Sequence, residues 1–142
     1  MTPTLNTKRL TLVPFTAGMV ENWHVAWLND PEVVEFSEQR HRRHTIESQH
    51  TYLNEYEGNI WLIRQVWMSE PSRVDIGTIT AIVDGPNQTA NLGILIGEKK
   101  VWGKGYGLEA WNAVLRWCKE SGIKKVEAGC WVDNEPMKIL AE

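Results

Sequence analysis

Residues 8–14 alternate between polar and apolar, with Leu10 and Leu12 on one face, and Pro14 ends the run, which predicts a strand. The period then changes. Val20, Trp23 and Trp27 recur at helical spacing, so a helix is expected over 17–28, with Thr16 as its N-cap and Asn29-Asp30-Pro31 as its end. A second helix is expected from Thr45, another capping residue, to about Tyr56, closed by Gly58. Strands follow over 59–67, 74–83 and 89–97, and Asp84-Gly85-Pro86-Asn87 supplies the turn residues of an antiparallel hairpin between the last two. Leu108, Trp111, Leu115 and Cys118 lie on one face of a helix that runs to about Glu120 and is capped by Gly122. Residues 124–132 alternate again, with Val126, Ala128, Cys130 and Val132 on one side, and Asp133-Asn134-Glu135-Pro136 opens a last helix.

The order β-α-α-β-β-β-α-β-α predicts a mixed α/β (α+β) domain. Hairpins make its sheet mostly antiparallel, the helix before the last strand makes one parallel crossover, and helices flank the sheet. Residues 1–142 read as a single domain, without linkers or repeats.

Composition narrows the function classes. The chain is 42% apolar and 23% charged with a net charge of −3, so it has no global basic field for nucleic acid or a membrane surface. No apolar run approaches membrane length and the start does not resemble a signal peptide, so a cytoplasmic location is expected. Eight tryptophans predict an aromatic core or a lined cleft. Cys118 and Cys130 sit in apolar patterns and read as buried free thiols, and no metal-ligand spacing occurs.

The chemistry concentrates between Asn91 and Ala110. A strand leads into Trp102-Gly103-Lys104-Gly105-Tyr106-Gly107, and a helix starts there. Glycines permit positive φ and let a ligand approach the backbone. The first helical turn offers unpaired N–H groups and a partial positive charge, an anion site suited to a pyrophosphate, and Lys104 adds a cation. The spacing does not fit a P-loop, which needs Gly-Lys-Ser/Thr after four intervening residues, nor the Gly-x-Gly-x-x-Gly of a dinucleotide fold. A tight strand–helix turn without a ligand remains the alternative.

This stretch resembles the acetyl-CoA loop of the GNAT superfamily of N-acetyltransferases, Arg/Gln-x-x-Gly-x-Gly/Ala. Gly105 and Gly107 stand at the two small positions and Trp102 where Arg or Gln is commonest. With Glu109-Ala110, the opening Thr7-Lys8-Arg9-Leu10-Thr11-Leu12, Asn29-Asp30-Pro31-Glu32-Val33 and Asn134, the likeness is to the ribosomal-protein N-acetyltransferase branch and covers nearly the whole chain. The resemblance implies transfer of an acetyl group from acetyl-CoA to a primary amine by direct attack. Acetyl-CoA would be a cosubstrate, and no metal is expected. It assigns Trp102, Gly103, Lys104, Gly105, Tyr106 and Gly107 to the pyrophosphate, with Asn134 also at the cofactor. Ile94, Leu95 and Ile96 would pair with the pantetheine arm on a strand splayed by a local bulge, with one N–H polarising the thioester carbonyl.

The catalytic acid and base are less defined. Glu38 and His41, in the irregular segment that would overhang the acceptor cleft, are candidates for the base that neutralises the amine. Glu98 reads as a surface residue and His24 as structural. The run Arg40-His41-Arg42-Arg43-His44 reads as a solvated loop first, a contact to an anionic acceptor second, and a metal site with His50 last. Met137 stands where the branch often has the serine that protonates the departing thiolate. The family normally continues past residue 142 with the rest of a helix and two more strands. A C-terminally shortened sheet with an exposed edge leads to the expectation of a homo-oligomer. A non-catalytic acyl-CoA-binding module and a truncated acetyltransferase remnant stay open beside the enzyme.

Overall fold

The computed structural model describes residues 2–35, 43–66 and 73–128. Its strands are β1 (Leu5–Asn6), β2 (Leu10–Pro14), β3 (Asn59–Val66), β4 (Arg73–Asp84), β5 (Thr89–Ile96) and β6 (Lys125–Glu127). Its helices are α1 (Asn22–Asn29), α2 (Ile46–Glu55) and α3 (Tyr106–Glu120). The strands form one sheet in sequence order. Every neighbouring pair is antiparallel except β5 and β6, which α3 joins as a parallel crossover. The expected fold class is thus what the chain adopts, with the short β1 as an added edge strand. Cys130 and the expected last helix lie outside the described residues.

The alternation along the strands sorts side chains onto two faces. On one face, Leu10, Leu12, Trp61, Ile63, Ile79, Ala81, Ala90 and Leu92 pack with Ala110, Trp111, Val114 and Cys118 of α3. On the other, Val13, Leu62 and Ile60 pack with Phe15, Val20 and Trp27 beneath α1 and α2. Trp27, Trp61 and Trp111 are buried, as the tryptophan count leads one to expect.

Three local expectations are corrected. Thr16 does not cap α1. It precedes a 3₁₀ turn, Ala17–Met19; the chain then returns to an extended conformation at Val20, and α1 starts after Glu21. Gly18 in that turn is a poor helix residue, disfavoured by about 1 kcal/mol relative to Ala, and Val20 is drawn into the core instead. Leu108 is not on the buried face of α3 but 48% exposed, because the buried stripe is Ala110, Trp111, Val114 and Cys118. At 3.6 residues per turn Leu108 points about 110° away from that stripe. Gly58 does not close α2 through a left-handed turn. The helix leaves through Tyr56 in an extended conformation, and Gly58 instead makes room for the Tyr56 ring.

Other signals act as read. Thr45 forms a reciprocal capping box with Ser48. Gly122, at φ +86°, completes a Schellman end for α3, with Ile123 N–H donating to Cys118 O at 3.0 Å and Gly122 N–H to Lys119 O at 3.2 Å. His44, the end of the basic run, is not solvated. It is buried, its backbone exchanges two hydrogen bonds with the Asn29 amide, and its Nδ1 lies 3.1 Å from the Gln49 amide nitrogen.

His24 is structural. It is buried edge-on to Phe15 at 4.8 Å, and its Nδ1 has no hydrogen-bond partner among the described residues. Burial, reinforced by the neighbouring His44, pushes its pKa down from 6.5 to about 4. Between those two values the unfolded chain holds a proton that the folded one rejects. Stability is therefore complete above pH 6.5 and is lost as pH falls toward 4. Urea titrations should show the protein weaker at pH 5 than at pH 7 by about 2 kcal/mol from this one group, and His24→Phe should remove that part of the difference.

Candidate active site

The centre of interest is the end of β5 and the start of α3. β5 keeps an unbroken register against β4, from Thr89 opposite Asp84 to Ile96 opposite Gly77. The expected bulge in β5 is therefore not found on this ladder. The register shift lies one strand over, between β3 and β4, where Ile63 faces Gly77 and Arg64 faces Asp75, leaving Ile76 as the extra residue. The buried Ile76 carbonyl then accepts from both Gly97 N–H at 2.7 Å and Glu98 N–H at 3.2 Å, which ends β5 and turns the chain toward α3.

On its other edge β5 pairs, among the described residues, with β6 from Thr89 to Asn91. Beyond that point Ile94, Leu95 and Ile96 are half-buried. Ile94 and Ile96 pack toward α3, and Leu95, by alternation, faces the α1 and α2 side. Gly97 and Glu98 are held from that side by α1. The Trp27 ring lies where a side chain on Gly97 would have to go, and its indole N–H donates to Glu98 Oε1 at 3.1 Å. Glu98 is thus a half-buried acceptor rather than a free surface residue.

Gly103 and Gly105 adopt φ of +80° and +84°, the left-handed region that favours glycine. Gly105 is the N-cap of α3, with no side chain capping it. Among the described residues, the N–H groups of residues 103–108 meet no acceptor, and the first bond of the helix is Glu109 N–H to Gly105 O at 3.0 Å. A run of unpaired donors at the positive end of a fifteen-residue helix, in an exposed loop, is suited to a multiply charged anion. Gly107 differs from the other two. It is helical, and a Cβ there would meet only Ile96 and Ile94 side-chain carbons at 3.8 and 3.9 Å, ordinary contact, which accounts for a Gly/Ala position.

The other loop residues act on the loop itself. Trp102 is 42% exposed and its indole N–H donates to Ile96 O at 2.9 Å, tying the loop back to the end of β5. Lys104 is exposed. The Tyr106 side chain turns inward, its hydroxyl accepting from the Gln65 amide at 2.8 Å.

Sequence reasoning gave no role to the groups that brace this loop. Glu109, in the first turns of α3, accepts from the Thr7 hydroxyl, from Arg9 N–H at 2.8 Å and from Arg9 Nε at 2.6 Å. Burial alone would raise the Glu109 carboxyl, but these hydrogen bonds override it and hold its pKa below the usual range. The Arg9 guanidinium lies 4.2 Å over the Tyr106 ring and donates from Nη1 to Lys104 O at 3.1 Å. The legible signal was an acidic residue beside an anion cradle, which asks for a compensating cation.

The Acetyltransferase (GNAT) domain model matches residues 9–142. The chain belongs to the GNAT acetyltransferase family. The reaction of that family is acetyl transfer from acetyl-CoA to an amine. No curated protein matches the chain. Among solved structures it is similar to a domain from Methanocaldococcus jannaschii DSM 2661 (22% identity, covering 94% of this chain and 84% of that one, TM-score 0.81). It is also similar to a GNAT-family acetyltransferase from Bacillus anthracis (20% identity, 97% and 80%, TM-score 0.76). A third is RimL, the ribosomal L7/L12 alpha-N-protein acetyltransferase, in complex with coenzyme A (15% identity, 98% and 81%, TM-score 0.80). At these identities the likeness is one of fold.

For this GNAT chain the candidate catalytic residues Glu38 and His41, and Asn134 at the cofactor, lie outside the described residues. Among the described residues no group of three His, Cys, Asp or Glu side chains could hold a metal ion, and no helix is long and apolar enough to cross a membrane.

Proposed function

We propose that residues 1–142 form one acyl-CoA N-acyltransferase domain whose loop from Trp102 to Gly107 holds the acetyl-CoA pyrophosphate, and whose acceptor is the amino terminus of a peptide. The observation that carries the reading is the row of N–H groups over residues 103–108 that meet no acceptor among the described residues, beside two left-handed glycines. Among the described residues no strand pairs with the second edge of β5 at Ile94, Leu95 and Ile96, and that edge suits the pantetheine amides, as a strand accepts another strand. Acetyl-CoA supplies an activated thioester, so no residue of the protein needs to carry the acetyl group. The chain has to bind both substrates, align them and take a proton from the amine. Glu38 and His41 remain the bases assigned to that proton. The peptide acceptor is supported by the likeness in fold to RimL and by an open depression beside α2 lined by Tyr52, Glu55, Tyr56 and Glu57, where two carboxylates and two aromatic rings suit a cationic amine. A cytoplasmic homo-oligomer completes the proposal.

Calorimetric titration with acetyl-CoA, light scattering on the same sample and a thiol-release assay over peptide and small-molecule amines test it. Micromolar binding with thiol release on peptides is the expected result. Binding without release on any amine would favour a non-catalytic acyl-CoA-binding module, and a folded sample that does not bind would overturn the reading. Cys118→Ala should keep turnover per folded molecule in that assay. The Cys118 thiol is buried in the core, burial pushes its pKa up, and direct attack does not use it.

A further inference from the structure

Resting on the cofactor-loop reading, we infer that Arg9 is a positioning residue for acyl-CoA: it neutralises Glu109, which would otherwise repel the anion from the start of α3, and aims the loop's peptide groups outward.

The helix end that offers the N–H row also carries a carboxylate. Glu109 is the residue whose N–H closes the first bond of α3, so its charge sits within one turn of the unpaired donors. It is ionised, partly shielded from water, and surrounded by donors rather than by solvent alone. A negative charge there opposes the helix dipole's attraction for a pyrophosphate over the same short range. Arg9 answers it with a pair at 2.6 Å, leaving a locally neutral pair in place of a bare anion.

The same guanidinium reaches the loop. Its Nη1 takes the Lys104 carbonyl at 3.1 Å. In a trans peptide the N–H points opposite to the C=O, so fixing Lys104 O toward Arg9 turns the Gly105 N–H away from the body of the protein. Arg9 Nη2 stands 3.4 Å from the place a Cβ would occupy on Gly105, and the cation stacks on Tyr106, the first residue of the helix. Two segments 100 residues apart in sequence thus meet at one point, and the contact has a purpose at the cofactor loop that a bridge elsewhere on the surface would lack.

A double-mutant cycle on Arg9→Met and Glu109→Gln tests this, read by calorimetry with CoA at low ionic strength and with melting temperatures on the same samples. Arg9→Met should weaken CoA about tenfold and raise the KM for acetyl-CoA more than it lowers kcat. Glu109→Gln should bind CoA at least as tightly as the unaltered protein, and Arg9→Met should lose far less affinity when residue 109 is glutamine. Arg9→Lys, which keeps the charge but not the forked contacts to Glu109 and Lys104 O, should bind CoA more tightly than Arg9→Met and less tightly than the unaltered protein. A folded Arg9→Met with unchanged affinity, or one equally weakened in both backgrounds, overturns the inference. If Arg9→Met does not fold, weaker binding by Glu109→Gln, or Arg9→Lys binding as tightly as the unaltered protein, overturns it. Unaltered protein that fails to bind CoA overturns the cofactor-loop reading itself and the inference with it.

Discussion

Gly105→Glu is expected to abolish CoA binding while leaving a folded protein. Gly105 sits at φ +84° as the N-cap of α3. A non-glycine residue there costs on the order of 1–2 kcal/mol in backbone strain. Part of that is offset because a carboxylate at a helix N-terminus is favourable, and Arg9 Nη2 lies 3.4 Å from the new Cβ and can pair with it. Binding has no such compensation. The new carboxylate would stand among the N–H donors meant for the pyrophosphate and would compete with Glu109 for its cation. Two unit charges about 4 Å apart repel by about 4 kcal/mol at an effective dielectric of 20, roughly a thousandfold in affinity. Gly105→Ala is the control, because it carries the strain without the charge and should lose much less. Calorimetry with CoA on both variants checks the pair. Normal binding by Gly105→Glu would mean that the anion is held elsewhere.

That loop was legible from sequence because everything that makes it a loop is local. Three glycines spaced by one residue, a strand before and an amphipathic helix after need no tertiary contact to be recognised. The capping box at Thr45 and the Schellman end at Gly122 were legible for the same reason. The errors arose where a local signal met a tertiary demand. Thr16 is a good cap in isolation, yet the core draws in Val20 and the helix begins later. On α3 the large residues suggested a face through Leu108, whereas the sheet selected one through Ala110 and Val114, small enough to approach it closely. The register shift falls at Ile76, a residue with no bulge signature of its own, where the β4 carbonyl turns to the N–H groups of Gly97 and Glu98 at the end of β5 while its neighbours Asp75 and Gly77 pair with β3. The Arg9–Glu109 pair escaped sequence reasoning for a related reason. Glu109 beside the glycine loop asks for a cation, but nothing local says which one until the fold brings the turn before β2 to the first turns of α3.

Gly77→Ala is expected to be among the most destabilising single-methyl changes in the chain, and the site should feel it. A Cβ on Gly77 would stand 2.1 Å from Leu95 O and 2.9 Å from Ile96 Cα. Those neighbours are backbone atoms of β5, so no side-chain rotation relieves the clash, and one strand has to move. Overpacking in a close-packed interior costs about 1–3 kcal/mol, and the upper end applies where a ladder must shift. A loss of about 3 kcal/mol lowers the melting temperature of a domain this size by roughly 10 °C. Gly93→Ala makes the contrast on the same strand pair: its Cβ would meet the Thr80 hydroxyl oxygen at 3.1 Å, a side-chain atom that can turn aside, so its cost should be small. The moved segment, Leu95 and Ile96, leads directly into the cofactor loop, and Ile96 O is the acceptor that anchors Trp102. Gly77→Ala should therefore weaken CoA more than Val114→Ala, which opens a comparable loss of stability in the buried core of α3 away from the loop. If the two variants lose stability equally and bind CoA equally, β5 yields at this point without disturbing the loop, and the strand end is softer than its unbroken register with β4 implies.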